Sequence, residues 1–222
     1  MGLSDHLFVS FQDWFQKNGR LCTYPKGVVL FHQGARTEHV VLIEEGLARI
    51  TSTSPSGYVS LLALRRAGEL VGEFAALDGR PRSATCTAAE YLTARIVTGE
   101  RFRAGLRAYP EFALLLLRCT VGRVREADRA RTEFGAYPAE ERVVLLLDRM
   151  ADEHGQPVPG ETDTVCVQIS HQEIAGAVGA SRHSVMRALR SLQVQGILNT
   201  RRERIVITDL QALATRAAQY RS

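Results

Sequence analysis

Glycines at 27, 34, 46, 57 and 68 cut residues 21–97 into short apolar runs, and this punctuation limits the fold more than any other feature of the chain. The runs at 28–31, 40–43, 47–50 and 59–64 are too short to be core helices. Bounded by turn formers, they read as strands of a compact antiparallel barrel or sandwich. The pattern then changes. Thr98 can cap a short helix to 108, and Pro110 opens a long one to about 134. Leu114, Leu117, Val121 and Val124 recur there at three- and four-residue spacing, a stripe that a helix buries. Arg118, Arg123, Arg125, Glu126 and Arg129 interleave with it. The stripe suits either a seam between two copies of the helix or packing within one chain, the second remaining open for its first half.

Upstream, Leu7, Phe8, Phe11, Trp14 and Phe15 lie at helical spacing over 4–18, an aromatic face turned to the core. Downstream, 135–138 is a short break, with the hinge between domains placed near Gly135. A helix over 139–153, a loop over 154–164 and a strand over 165–169 follow.

At 222 residues, 45% hydrophobic and 23% charged, the chain is sized for one or two soluble domains. No apolar run approaches a membrane span. Residues 1–10 lack the basic and apolar regions of a secretory signal, so a cytoplasmic protein is expected. Cys22, Cys86, Cys119 and Cys166 include no Cys-x-x-Cys pair, so unreactive thiols are expected ahead of a metal site or disulfides. His154, His171 and His183 have no evident catalytic partners, and an enzyme is not expected.

Chemistry concentrates in residues 68–84, Gly68-Glu69-Leu70-Val71-Gly72-Glu73 through Arg82-Ser83-Ala84, which read as one short, tightly turned connection. Glycines let a backbone approach a ligand closely and expose its N–H groups, and successive N–H groups form an anion nest. The Arg82 guanidinium is a planar fork for phosphate oxygens. A carboxylate such as Glu73 can accept from a sugar hydroxyl. Phosphate plus ribose points to a nucleotide. The bland alternative is two strand-end turns and a solvated Arg-Ser pair.

A second concentration spans 168–204, where six arginines stand against two glutamates in a chain of net charge +4. That local excess is what a DNA-facing patch leaves. Ser170 and Glu173 form a capping box, Gly179 ends the short helix 173–178, and Ser181 caps a second helix holding Val185, Met186, Leu189 and Leu192. This is the helix-turn-helix spacing, whose second helix enters the major groove. Arg182, His183 and Arg187 then face outward while Val185 and Leu189 pack inward. Ser170, Gln172, Ser181 and Ser184 complete the candidate DNA-facing set. A hairpin around 199–203 forms a wing with Arg201 and Arg202 near phosphate, and Asp209 caps a last helix to 220.

The ordered set Gly72-Glu73 and Arg82-Ser83-Ala84 resembles the phosphate-binding cassette of cyclic-nucleotide-binding domains. The run Ile174-Ala175-x-x-Val178-Gly179-Ala180-Ser181-Arg182 resembles the winged helix of CRP/FNR regulators, so the resemblance covers nearly the whole chain. It implies an α+β fold: an antiparallel β-roll sensor over 1–109, a dimerisation helix over 110–135 that closes over the bound base, and a winged helix-turn-helix over 136–222. It also implies a cyclic nucleotide, cAMP before cGMP, held by Gly72, Glu73 on the ribose, Phe74, Ala75, Arg82 on the cyclic phosphate, Ser83 and Ala84. The implied partners are palindromic double-stranded DNA, a second copy of the chain, and RNA polymerase through loops such as 154–163. No metal, iron–sulfur cluster or haem is expected; the oxygen-sensing branch uses an N-terminal cysteine cluster, and only Cys22 lies near.

The chain also departs from the pattern. Ala127 and Asp128 stand where cAMP-responsive members carry Thr-Ser against the adenine. Asp128 either accepts from a purine, favouring guanine, or faces solvent. A regulator with a vestigial pocket, independent of effector or using another ligand, is therefore the alternative. His183 replaces the usual glutamate of the recognition helix, which changes the base preference there because His⁺ cannot accept a hydrogen bond.

Overall fold

The computed structural model describes residues 3–201 and 203–221. The first elements are α1 (Leu3–Asn18), β1 (Arg20–Tyr24), β2 (Val29–Phe31), β3 (Val40–Glu45), β4 (Leu47–Thr53) and β5 (Val59–Arg66). Next come β6 (Leu70–Val71), α2 (Glu73–Asp78), β7 (Thr85–Ala88), β8 (Leu92–Val97), α3 (Gly99–Ala108) and α4 (Pro110–Ala136). Then follow α5 (Ala139–His154), β9 (Gln156–Pro157), β10 (Val165–Val167) and α6 (His171–Val178). The chain closes with α7 (Arg182–Val194), β11 (Leu198–Arg201), β12 (Arg204–Ile207) and α8 (Leu210–Arg221). These elements form two compact units, one ending at Glu126 and the other starting at Ala127.

In the first unit, antiparallel sheets of order β1-β8-β3-β6 and β2-β7-β4-β5 close over one core. β3 explains how. Successive strand side chains point to opposite faces, and both faces of β3 are covered. Val41 and Ile43 join Phe31, Ala48, Cys86, Ala88 and Leu92 inside the roll. Val40 and Leu42 meet Phe11 and Phe15 of α1, Phe102 of α3 and Phe112 and Leu116 of α4. The aromatic face of α1 is thus core, with the Phe11 ring edge-on to Phe112 at 5.0 Å. Such pairs add about 0.5–1.5 kcal/mol beyond their burial.

Two local expectations change. Residues 73–78 are a helix and not part of one continuous turn, because Gly72 and Gly79 bracket them in the left-handed region, at φ 85° and 68°. The break placed at Gly135 begins later, since α4 runs to Ala136 and the Tyr137 N–H still reaches the Glu133 carbonyl at 3.1 Å. Pro138 then stops the ladder by lacking a donor.

The inward face of α4 is Phe112, Leu116 and, at the same spacing, the half-buried Thr120 and Arg123. Leu114 and Leu117 are 58% exposed, and Val121 and Val124 are also exposed. The first half of α4 therefore packs within its own chain through Phe112 and Leu116, while the stripe of Leu114, Leu117, Val121 and Val124 is left exposed.

The second unit wraps α6, α7 and α8 around α5, whose residues Val143, Val144, Leu145, Leu146 and Leu147 are all buried. A sheet of order β11-β12-β10-β9 flanks them, with β11 and β12 forming the expected wing. Asp209 caps α8 by accepting from the Ala212 N–H at 2.8 Å. Among the described residues no helix is long and apolar enough to cross a membrane.

Candidate functional site

The segment 72–84 builds a buried charged cluster. Gly72 turns the chain from β6 into α2, and a Cβ there would sit 2.5 Å from Nη1 of Arg82. Arg82 is 3% exposed although its residue type favours solvent. Its partners explain this: Nε donates to Thr37 Oγ1 at 3.0 Å, Nη1 to the Gly72 carbonyl at 2.6 Å, and Nη2 to the His39 carbonyl at 2.6 Å. The guanidinium also lies 4.2 Å from the centroid of the Phe31 ring. Three of its five N–H groups are thereby engaged by the protein. Burial pulls Arg82 below the usual guanidinium range, against the opposing pull of Glu73. Nearby, burial pushes the Cys86 thiol up to about 12, with Arg82 opposing. Burial, then the charge of Arg82, lowers His39 from its ordinary value.

Glu73 is 2% exposed, and its carboxylate is paired with Arg123 of α4. Nη2 of Arg123 donates in turn to the Leu70 carbonyl at 2.6 Å. Ala75 and Ala84 are buried beside these groups in sequence, while Phe74 and Ser83 are exposed. Gly72, Glu73 and Arg82 are thus brought together. Ala127 and Asp128 belong to the second unit, where both are exposed.

In the second unit the helix-turn-helix follows its local chemistry. The Ser170 hydroxyl accepts from the Glu173 N–H at 3.2 Å, and the Glu173 carboxylate accepts from the Ser170 N–H at 2.7 Å. Gly179 turns at φ 60°, and the Phe134 ring packs where its side chain would be. The Ser181 hydroxyl accepts from the Ser184 N–H at 3.1 Å to start α7. Val185, Ala188, Leu189 and Leu192 are buried. Arg182, His183, Arg187 and Arg190 form the exposed face, and Gln172 and Arg201 are exposed as well. Ser170 is half-buried in its cap. Arg202 lies outside the described residues. Met186, read from sequence among the apolar positions of its helix, is 53% exposed and shares the outward face.

The cyclic nucleotide-binding domain family matches residues 21–109, and the Crp-like helix-turn-helix domain family matches residues 141–216. The cyclic AMP receptor protein of Thermus thermophilus is 31% identical over 175 residues, 79% of this chain and 77% of that protein. The chain belongs to the CRP/FNR family of transcriptional regulators. A CRP-like cAMP-activated global transcriptional regulator of Mycobacterium tuberculosis is 26% identical over 194 residues, 87% of this chain and 86% of that one. Two solved structures share the fold. A CRP/FNR-family regulator from Thermus thermophilus superposes with TM-score 0.75 at 22% identity, over 90% of this chain and 98% of that one. The c-di-GMP responsive global regulator CLP of Xanthomonas campestris superposes with TM-score 0.76 at 20% identity, over 90% and 98%.

This CRP/FNR regulator is not an enzyme. Among the described residues no group of three or more His, Cys, Asp or Glu could hold a metal ion. Sequence reasoning missed Thr37, His39 and Phe31 as partners of Arg82, since nothing local marks them. Arg123 was legible in principle, because it continues the Phe112–Leu116–Thr120 face of α4 by three residues.

Proposed function

We propose that the chain acts in the cytoplasm as a homodimeric regulator. A cyclic nucleotide, cAMP before cGMP, favours the state in which two copies of α7 enter successive major grooves of palindromic DNA. Those grooves lie about 34–36 Å apart. The observation that carries this reading is the Glu73–Arg123 pair. A ribose hydroxyl bound at Glu73 competes with a cation on α4, the helix whose apolar stripe Leu114, Leu117, Val121 and Val124 is exposed in a single chain. Effector and dimer seam therefore share one element, and a ligand that binds one state better shifts the population toward it. Within the cluster Glu73 serves the ribose, Arg82 the cyclic phosphate, and Gly72, Phe74, Ala75, Ser83 and Ala84 the walls. At the DNA, Arg182 and Arg187 read guanines, His183 the neighbouring base, and Ser170, Gln172, Ser181, Ser184, Arg201 and Arg202 the backbone.

A second reading has its own support. Arg82 and Glu73 already have protein partners, and Ala127 and Asp128 replace the usual base contacts. On that reading the pocket is vestigial or takes another ligand, and the dimer binds DNA without cAMP.

Calorimetric titration with cAMP, cGMP and c-di-GMP separates the two, with Arg82→Ala and Glu73→Gln as variants. Saturable binding of a cyclic mononucleotide, lost in both variants and accompanied by tighter operator binding, supports the first. No heat with either mononucleotide and unchanged DNA affinity supports the second.

A further inference from the structure

Arg187 projects from the exposed face of α7 but is not free. Its Nε is paired with the Glu140 carboxylate of α5, both side chains being largely solvent-exposed, 65% and 47% respectively. α7 carries no acidic residue of its own. Among the described residues this is the only ion pair made by α7. An exposed pair is weak when both partners must be ordered for it, so what fixes the main chain beneath Glu140 matters. Arg142, two residues further on, donates to the carbonyls of Tyr137 at 2.7 Å and Val178 at 2.8 Å, and to Phe134 at 3.2 Å. The first turn of α5 is thereby bolted to the turn between α6 and α7. Only side-chain freedom remains to be lost when Glu140 meets Arg187.

We infer that Glu140 is a positioning residue that sets the sequence selectivity of this regulator through Arg187. The inference rests on Arg187 reading bases as proposed above. A guanidinium on a flexible stem is drawn to any phosphate, which strengthens binding to every sequence alike. Glu140 opposes that draw twice: it occupies Nε, and its charge is repelled by the same phosphates. Both Nη groups stay available, and together they match O6 and N7 of a guanine in one plane. A wrong base leaves them unpaired, with the route to phosphate discouraged. A built-in repulsion of this kind lowers binding to wrong sites more than to the right one.

The test uses the full chain, with and without saturating cAMP, on an operator obtained by selection from random duplexes and on a scrambled duplex of equal length. Glu140→Gln keeps a hydrogen-bond partner without charge, and Glu140→Ala removes both. Both variants are expected to bind the scrambled duplex several-fold more tightly, with a salt dependence steeper by about one unit per half-site. The operator-to-scrambled ratio should fall about tenfold. Reselection with Glu140→Ala should relax one base position per half-site, the same one that Arg187→Ala relaxes. An unchanged ratio in both Glu140 variants overturns the inference while leaving the role of Arg187 intact. Loss spread evenly over every position, with a lowered melting temperature, also overturns it, because that is a structural role. A consensus untouched by Arg187→Ala overturns the underlying reading, and the inference with it.

Discussion

Arg123 of α4 neutralises the buried carboxylate of Glu73 while donating to the Leu70 carbonyl just upstream of it, so one guanidinium ties the long helix to the turn between β6 and α2. Removing one member of a buried pair strands the other charge. Arg123→Ala should therefore lower the unfolding free energy by about 3 kcal/mol. Adding Glu73→Gln should recover part of that loss in urea melts, because a neutral amide is cheaper to bury. Equal losses in the single and double variants would show that the pair is not what holds the turn.

Gly72 sits at φ 85° with Arg82 against it. In Gly72→Ala the new Cβ would lie 2.5 Å from Arg82 Nη1 and 3.0 Å from the His39 carbonyl, two of the groups that fix the cluster. The strain should cost about 1–3 kcal/mol. Denaturant unfolding of the variant measures it, and nucleotide affinity should fall in parallel if Arg82 is displaced.

Burial lowers the pKa of His39 below its ordinary 6.5, with the Arg82 charge second. The unfolded chain thus binds more protons than the folded one below that pH, and stability rises with pH. The contribution is fully present above pH 6.5 and is lost as pH falls through the lowered folded value. Stability measured stepwise downward from pH 6.5 should decline, and His39→Gln should flatten the curve. A slope unchanged in that variant would assign the titration to another group.

Cys86 is fully buried, with its thiol pushed up to about 12, whereas Cys119 is exposed on α4. Thiolate is the reactive form. Alkylation of the native protein near neutral pH should label Cys119 first and spare Cys86 until denaturant is added, as peptide mapping would report. Early labelling of Cys86 would mean that the roll opens locally.

Much of this protein could be read directly from its residues. The Ser170–Glu173 box, the Ser181 and Thr98 caps, the Gly179 turn and the strands β2 to β5 all appear close to where their residues place them. Each depends on interactions within a few positions, which sequence displays. Helix α2 escaped notice because two glycines seven residues apart look like one extended turn.

The order of elements, their caps and the residue types of the two charged clusters all follow from residues close together along the chain. Which side of α4 turns inward depends instead on long-range packing. Phe112, Leu116, Thr120 and Arg123 repeat at helical spacing just as Leu114, Leu117, Val121 and Val124 do, and packing against α1 and β3 chose the first set. It also decided the partners of the charges: Arg82 with the carbonyls of His39 and Gly72, Glu73 with Arg123, Arg187 with Glu140. A main-chain carbonyl attracts a guanidinium whatever residue it belongs to, and a salt bridge acts across space regardless of separation along the chain. Such pairings become visible only once folding has set the distances.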